Sequence, residues 1–277
     1  MLPTPIWKQH IEIEFYKGNE CVTTLYLLST GPGDINYLSP IAQNALEQSQ
    51  HLVAYGLYLD LLGDLIDNKQ CYHLPLGQEV ERARLALKLA SEGKATALIS
   101  SGDIGIYAMA TLVFELLDNP QERAENPQWD TIKIEVIPGI SAIQTLASRV
   151  GAPIAHDFCT ISLSDLLTPW EVIEKRLHAA GSGDFVIAFY NPVSRKRQWQ
   201  LEKAQQILLN YRANNTPVII GKNLSRKNEM IIHTTLLELD IQQVDMLTLV
   251  MVGNSESQRI KTMQQQWVYT PRGYGKI

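Results

Sequence analysis

Along the chain, short runs that are apolar at every position alternate with longer segments whose apolar positions recur every three or four residues. The first run is Leu25-Tyr26-Leu27-Leu28, and it stops abruptly at Thr30-Gly31-Pro32-Gly33-Asp34. A run without polar positions reads as a strand buried on both faces. Ala42, Ala45 and Leu46 then share one face of a helix over about residues 39–48, and residues 51–55 form a second short strand. Val80, Ala83, Leu85, Ala86, Leu87 and Leu89 make an apolar stripe among Glu and Arg, which sets a helix over 79–92. Residues 95–99 are the next buried strand. Ser100-Ser101-Gly102-Asp103 turns the chain from it into a helix that runs to Leu117.

Residues 119–130 are polar and hold Pro120 and Pro127, so they read as a loop. Residues 132–137 alternate as a strand, Pro138-Gly139 ends it, and helix resumes over 141–150. Further strands are expected at 159–163, 185–190, 216–220 and 246–252, with helices at 168–178 and 199–211. Residues 229–233 alternate and look hairpin-like, and after Asn254 the chain turns polar and reads as a tail. Strands alternating with helices imply an α/β chain with mixed, mostly parallel sheets. The 277 residues suit two domains at roughly 150 residues each. The expected division is an N-terminal extension over 1–23, an α/β domain over 24–136, and a second α/β domain with a polar tail over 137–277. Within the extension, Ile11-Glu12-Ile13-Glu14-Phe15 alternates as a strand would.

Composition narrows the function. Apolar residues are 45% and charged residues 19%, the ordinary globular range. Lys plus Arg number 24 against 29 Asp plus Glu, a net charge of −5, so the chain has no general pull on nucleic acid or anionic membrane. No apolar run approaches a membrane span, and the first residues lack a signal-peptide core, so the cytoplasm is the expected location. Cys21, Cys71 and Cys159 are too few and too scattered for a disulfide framework or a zinc site. His10, His51, His73, His156, His178 and His233 show no metal-ligand spacing, and no metal is expected.

The candidate chemistry sits at strand ends. Gly31-Pro32-Gly33-Asp34 follows the first strand, where glycine lets a main chain approach a ligand closely. It is neither a Walker loop nor a GxGxxG turn, and a tight turn with Asp34 bonding its own backbone is the structural alternative. Ser101-Gly102-Asp103-Ile104-Gly105 follows another buried strand. There Asp103 is either a helix N-cap or an acceptor for a ligand. Two glycine-bearing turns at two strand ends can face one crevice, which strengthens the ligand reading of each. Pro138-Gly139-Ile140-Ser141-Ala142 offers Ser141 as a cap or a ligand donor, and Tyr190-Asn191-Pro192 closes a strand or lines a site. Two basic clusters, Arg195-Lys196-Arg197 and Lys222 with Arg226 and Lys227, are solvated loops or receptors for a ligand with several carboxylates.

These turns together resemble the tetrapyrrole methylases, S-adenosylmethionine-dependent enzymes of corrin and sirohaem synthesis. His156-Asp157-Phe158, the stretch from Ile161 to Trp170, Tyr190-Asn191-Pro192 with Ser194-Arg195-Lys196-Arg197, and Thr270-Pro271-Arg272-Gly273-Tyr274 resemble the branch that methylates precorrin-3B, or its cobalt counterpart, at C17. The likeness runs from about Leu25 to Tyr274. It departs at Ser29, where the family usually has Gly, and at Ile104, where it usually has Pro. The resemblance implies an active site in a cleft between two α/β domains, a homodimer, and a tetrapyrrole substrate methylated at C17 with ring contraction. It places S-adenosylmethionine against Pro32, Gly33, Gly102, Asp103, Gly105, Ile106, Ser141, Ala142, Asn191 and Leu224, largely through backbone groups. Asp34, Ser101 and Asp103 become the candidates for proton transfer, and Arg195 and Arg197 for holding macrocycle carboxylates. The rival readings are methylation at another ring carbon, a diphthine-type protein methyltransferase, and a non-catalytic nucleoside-binding module.

Overall fold

The computed structural model describes residues 23–194 and 197–274. The strand expected at 11–15, Cys21 and Arg195 lie outside the described residues. The chain starts with β1 (Thr24–Ser29), α1 (Pro40–Gln48), β2 (His51–Ala54), α2 (Gly56–Asp60), β3 (Gln70–His73), α3 (Glu79–Ser91), β4 (Thr96–Ser100), α4 (Met109–Asp118), α5 (Pro120–Glu125) and β5 (Lys133–Ile137). The five strands form one sheet in the order β3-β2-β4-β1-β5, and every pairing is parallel.

The alternation of side chains along β1 explains how this sheet is covered. Leu25 and Leu27 pack with α3 and α4 on one face, while Tyr26 and Leu28 pack with α1 on the other. The helix after β1 therefore lies on the opposite face from the helix after β4, although the two strands are neighbours. That is a topological switch point, and the crevice beyond the carboxyl ends of β1 and β4 is where such sheets place ligands.

The rest of the chain is α6 (Ala142–Val150), β6 (Gly151–Ala152), β7 (Phe158–Ser162), α7 (Trp170–Ser182), β8 (Val186–Tyr190), α8 (Trp199–Leu208), β9 (Pro217–Lys222), β10 (Met230–Thr235), β11 (Thr248–Val252), β12 (Gln258–Lys261) and β13 (Gln266–Tyr269). A second sheet runs β10-β9-β11-β8-β7, with β7 parallel to β8 and the other pairs antiparallel. Ile173 and Leu177 of α7 and Leu201 and Leu208 of α8 cover one face against Ile187, Phe189, Ile220 and Val250. Ile143, Leu146 and Val150 of α6 cover the other against Val186, Ala188, Ile219 and Met251.

Three expectations need amendment, and two short elements were not foreseen. Residues 119–130 are not an open loop. Asn119 caps α5 by accepting from the Gln121 N–H at 2.9 Å, and a 3₁₀ turn over 127–131 buries Trp129. Each proline sits at the start of its turn, where no N–H is needed. Helix α4 begins at Met109, well beyond Asp103. The short α2 and β3 were invisible as patterns because they carry little apolar periodicity. The polar tail contains β12 and β13, which join β6 in a third sheet. Val268 of β13 is fully buried against α6, and the Thr270 hydroxyl donates to the Pro153 carbonyl at 2.7 Å. Val268→Ala should therefore cost about 2 kcal/mol in a denaturant titration, whereas an unattached tail would give no measurable change.

Candidate functional site

The three glycine turns form one packed unit. The turns after β1 and β4 are bonded to each other: the Gly31 N–H donates to the Gly102 carbonyl at 3.2 Å and the Gly102 N–H to the Gly31 carbonyl at 2.6 Å. Both glycines have left-handed φ, 76° and 73°, a conformation that side chains resist. The third turn is wedged against them. A Cβ on Gly139 would lie 2.5 Å from the Gly102 carbonyl oxygen and from Ser29 Cβ. The Asp103 carboxylate ties the unit, accepting from the Gly105 N–H at 2.8 Å through Oδ1 and from the Gly139 N–H at 3.0 Å through Oδ2. Ala108, not Asp103, occupies the N-cap of α4.

Ser29 and Ile104 are a matched pair. The buried Ser29 Oγ accepts from the Ile104 N–H at 2.8 Å, and the Ile104 side chain is fully buried in the core. A glycine at 29 would have no such acceptor, and a proline at 104 would have no N–H to give. Ser29→Ala should cost about 1–3 kcal/mol, because it strands a buried donor. A thermal or denaturant melt reads the change, and an unaltered midpoint would mean that water replaces the hydroxyl.

The second half of the chain reaches into this unit through Arg226. Its Nε donates to the Pro32 carbonyl at 3.0 Å and its Nη2 to the Ser101 hydroxyl at 2.9 Å. A Cβ on Gly33 would run into Arg226 Cγ, so the absence of a side chain here admits the arginine. Burial pushes the guanidinium pKa down, with Tyr58 opposing. Ser101 Oγ lies 3.2 Å from the Gly31 carbonyl, its own acceptor. Beside it, Arg149 of α6 donates to Glu229 at 2.6 Å, to the Tyr37 hydroxyl at 2.8 Å and to Ser225 Oγ at 3.2 Å. Burial tends to raise the Glu229 pKa, but Arg149 and the Ser225 N–H prevail and hold it below the usual carboxylate range.

Against this junction opens a cavity of about 820 Å³, lined by Asp34, Asp60, Asp64, Arg149, Arg226 and Lys227 among others. Asp34 is exposed there, with Oδ1 accepting from the Asn36 N–H at 2.8 Å. The remaining expected residues do not line this cavity. The Ser141 N–H donates to Gln144 Oε1 at 2.9 Å at the start of α6, and Ala142 is the first residue of that helix. Asn191 has a left-handed φ of 50° and donates to Ser162 Oγ at 3.0 Å. The Leu224 side chain is core, packed with α6, so only its backbone can meet a ligand. Gly105 and Ile106 are exposed.

Arg197 is held through its backbone by Ser194, and it does not line the cavity. Sequence reading missed Tyr107, Arg149, Glu229 and the hydroxyl of Tyr190. Tyr107, Arg149 and Glu229 carry no motif, and only three-dimensional proximity identifies them; Tyr190 stands in the Tyr190-Asn191-Pro192 turn, where nothing in the sequence gives its hydroxyl a role. Among the described residues no group of three His, Cys, Asp or Glu could hold a metal, and no helix is long and apolar enough to cross a membrane.

Residues 24–240 match the family described as Tetrapyrrole (Corrin/Porphyrin) Methylases. The chain is 44% identical over 250 residues to the cobalt-factor III methyltransferase of Priestia megaterium, covering 90% of this chain and 45% of that protein. It is 43% identical over 250 residues to the probable cobalt-factor III C(17)-methyltransferase of Salmonella typhimurium, covering 90% of this chain and 99% of that one. The chain thus spans about half the length of some curated relatives and nearly all of others. Among solved structures, the methyltransferase CobJ superposes with a TM-score of 0.82 at 32% identity, over 90% of this chain and all of that one.

Proposed function

The chain belongs to the tetrapyrrole methylase family, and we propose that it transfers a methyl group from S-adenosylmethionine to C17 of a corrin precursor, with ring contraction, in cobalamin biosynthesis. The observation that carries this is the three-turn unit at the switch point beyond β1 and β4, tied by Asp103.

The residues there suit a nucleoside-bearing, positively charged cofactor. Nothing lies within 4 Å of the position a Cβ would take on Gly102. Among the described residues, no protein acceptor takes the backbone N–H of Asp103 or Tyr107. An open cradle with free donors and a carboxylate supports binding through the main chain at Pro32, Gly33, Gly102, Asp103, Gly105, Ile106, Ser141, Ala142, Asn191 and Leu224. When bound, S-adenosylmethionine supplies an already activated electrophilic methyl group. The chain's task is then to hold the acceptor carbon in line and exclude water, which can contribute about 7–11 kcal/mol.

Ring contraction needs protons moved. In this reading Asp34, exposed on the cavity, takes or gives the proton, while Ser101 and Asp103 hold the turn that positions it. Arg195 and Arg197 receive macrocycle carboxylates. Residues 24–136 and 137–277 act as the two domains, and the enzyme works in the cytoplasm as a homodimer. Calorimetric titration with S-adenosylmethionine, followed by mass analysis of a corrin precursor, tests the reading. One cofactor bound per chain and one methyl gained per macrocycle are expected. Binding without any methyl gain would leave a nucleoside-binding module instead.

A further inference from the structure

Two tyrosines face each other where the cofactor segments end. Tyr107 directly follows Ile106, and Tyr190 directly precedes Asn191. Their ring centroids are 5.2 Å apart with planes tilted by 51°.

Each ring is fixed by a bond made elsewhere. The Tyr107 hydroxyl donates to the Thr160 carbonyl at 2.9 Å, bridging the turn after β4 to β7. The Tyr190 hydroxyl accepts from the Ile143 N–H at 3.2 Å, at the first turn of α6. Tyr107 pays for its place with a left-handed φ of 52°, which is uncommon for a bulky side chain, and its ring is half exposed. Backbone strain of this kind persists where the surroundings impose it, and it clusters at functional sites. Burial pushes the Tyr190 phenol pKa up, and the nearby Asp103 charge acts in the same direction. Asp103, the carboxylate that ties the turns, stands four residues before Tyr107.

We infer that the faces of Tyr107 and Tyr190 form a receptor for the sulfonium cation of the cofactor. The inference rests on the proposed cofactor reading and deepens it. An aromatic face attracts a cation, and the attraction grows when water is excluded. The sulfonium carries a positive charge before transfer, and the thioether left afterwards carries none. A pair of ring faces would thus hold the methyl donor more tightly than its demethylated product, and would help release the product.

The test is calorimetric binding of S-adenosylmethionine and S-adenosylhomocysteine to the same variants. Tyr107→Leu and Tyr190→Leu should weaken S-adenosylmethionine binding about fivefold to tenfold and change S-adenosylhomocysteine binding less than about twofold. Tyr107→Phe and Tyr190→Phe keep the ring face and lose the hydroxyl, so they should retain the wild-type preference. Equal losses for both ligands in the Leu variants would overturn the inference, because a merely structural role moves both together. Tyr107 is half exposed, so its variant gives the answer even if Tyr190→Leu fails to fold. Binding of neither ligand by the wild type would overturn the cofactor reading itself.

Discussion

Asp103→Ala is expected to weaken S-adenosylmethionine binding about 100-fold. The carboxylate accepts from the Gly105 N–H and the Gly139 N–H, at 2.8 and 3.0 Å. Hydrogen bonds to a charged acceptor contribute roughly 1.5–3 kcal/mol each. Alanine removes both and frees the third turn from the second. Binding to the variant must then re-order the freed turns, and a re-ordering cost of about 3 kcal/mol corresponds to about two decades in affinity. The cores on both faces of the first sheet do not include Asp103, so the melting transition should survive. Asp103→Asn keeps one acceptor oxygen and should fall between the two. Calorimetry with each variant reads the result. Wild-type affinity in a folded Asp103→Ala protein would remove this residue from the cofactor site.

Asp34→Asn should slow formation of the methylated, contracted product by about 100-fold or more, the lower end of what general acid–base catalysis contributes. The substitution is nearly isosteric and keeps an oxygen for the Asn36 N–H, which Asp34 accepts at 2.8 Å. The turn and the cavity wall should therefore stay as they are, and cofactor affinity should change less than about threefold. Single-turnover product analysis separates the two quantities. A variant that methylates and contracts at the full rate would show that Asp34 only caps its turn.

The architecture was largely legible because buried parallel strands announce themselves. Leu25 to Leu28 are apolar at every position, and all four side chains are buried. Elements with one wet face were harder to read. In β12, Arg259 is partly buried while Gln258, Ile260 and Lys261 are exposed, so the strand looks like a polar tail until its partners are known. Prolines misled at 119–130 because a proline that opens a short helix and one that breaks a loop look alike in sequence.

At the site, the glycines were conspicuous but their reasons were not. Gly33 accommodates Arg226 and Gly139 accommodates the second turn, contacts between residues far apart in the chain. The same holds for Asp103, whose partner Gly139 lies 36 positions away. Its position in sequence suggested an N-cap, while its bonds make it a tie between turns. Ser29 and Ile104 appeared as two separate departures, and only their shared hydrogen bond shows that they compensate each other.

The most direct test of the account is a mass spectrum of the macrocycle after incubation with the protein and S-adenosylmethionine, with precorrin-3B and cobalt-factor III supplied in parallel. The account predicts gain of one methyl group on at least one of the two, and the substrate that reacts names the pathway. Recovery of both macrocycles unmethylated, with cofactor binding confirmed in the same sample, would contradict C17 methylation and require a different methyl acceptor.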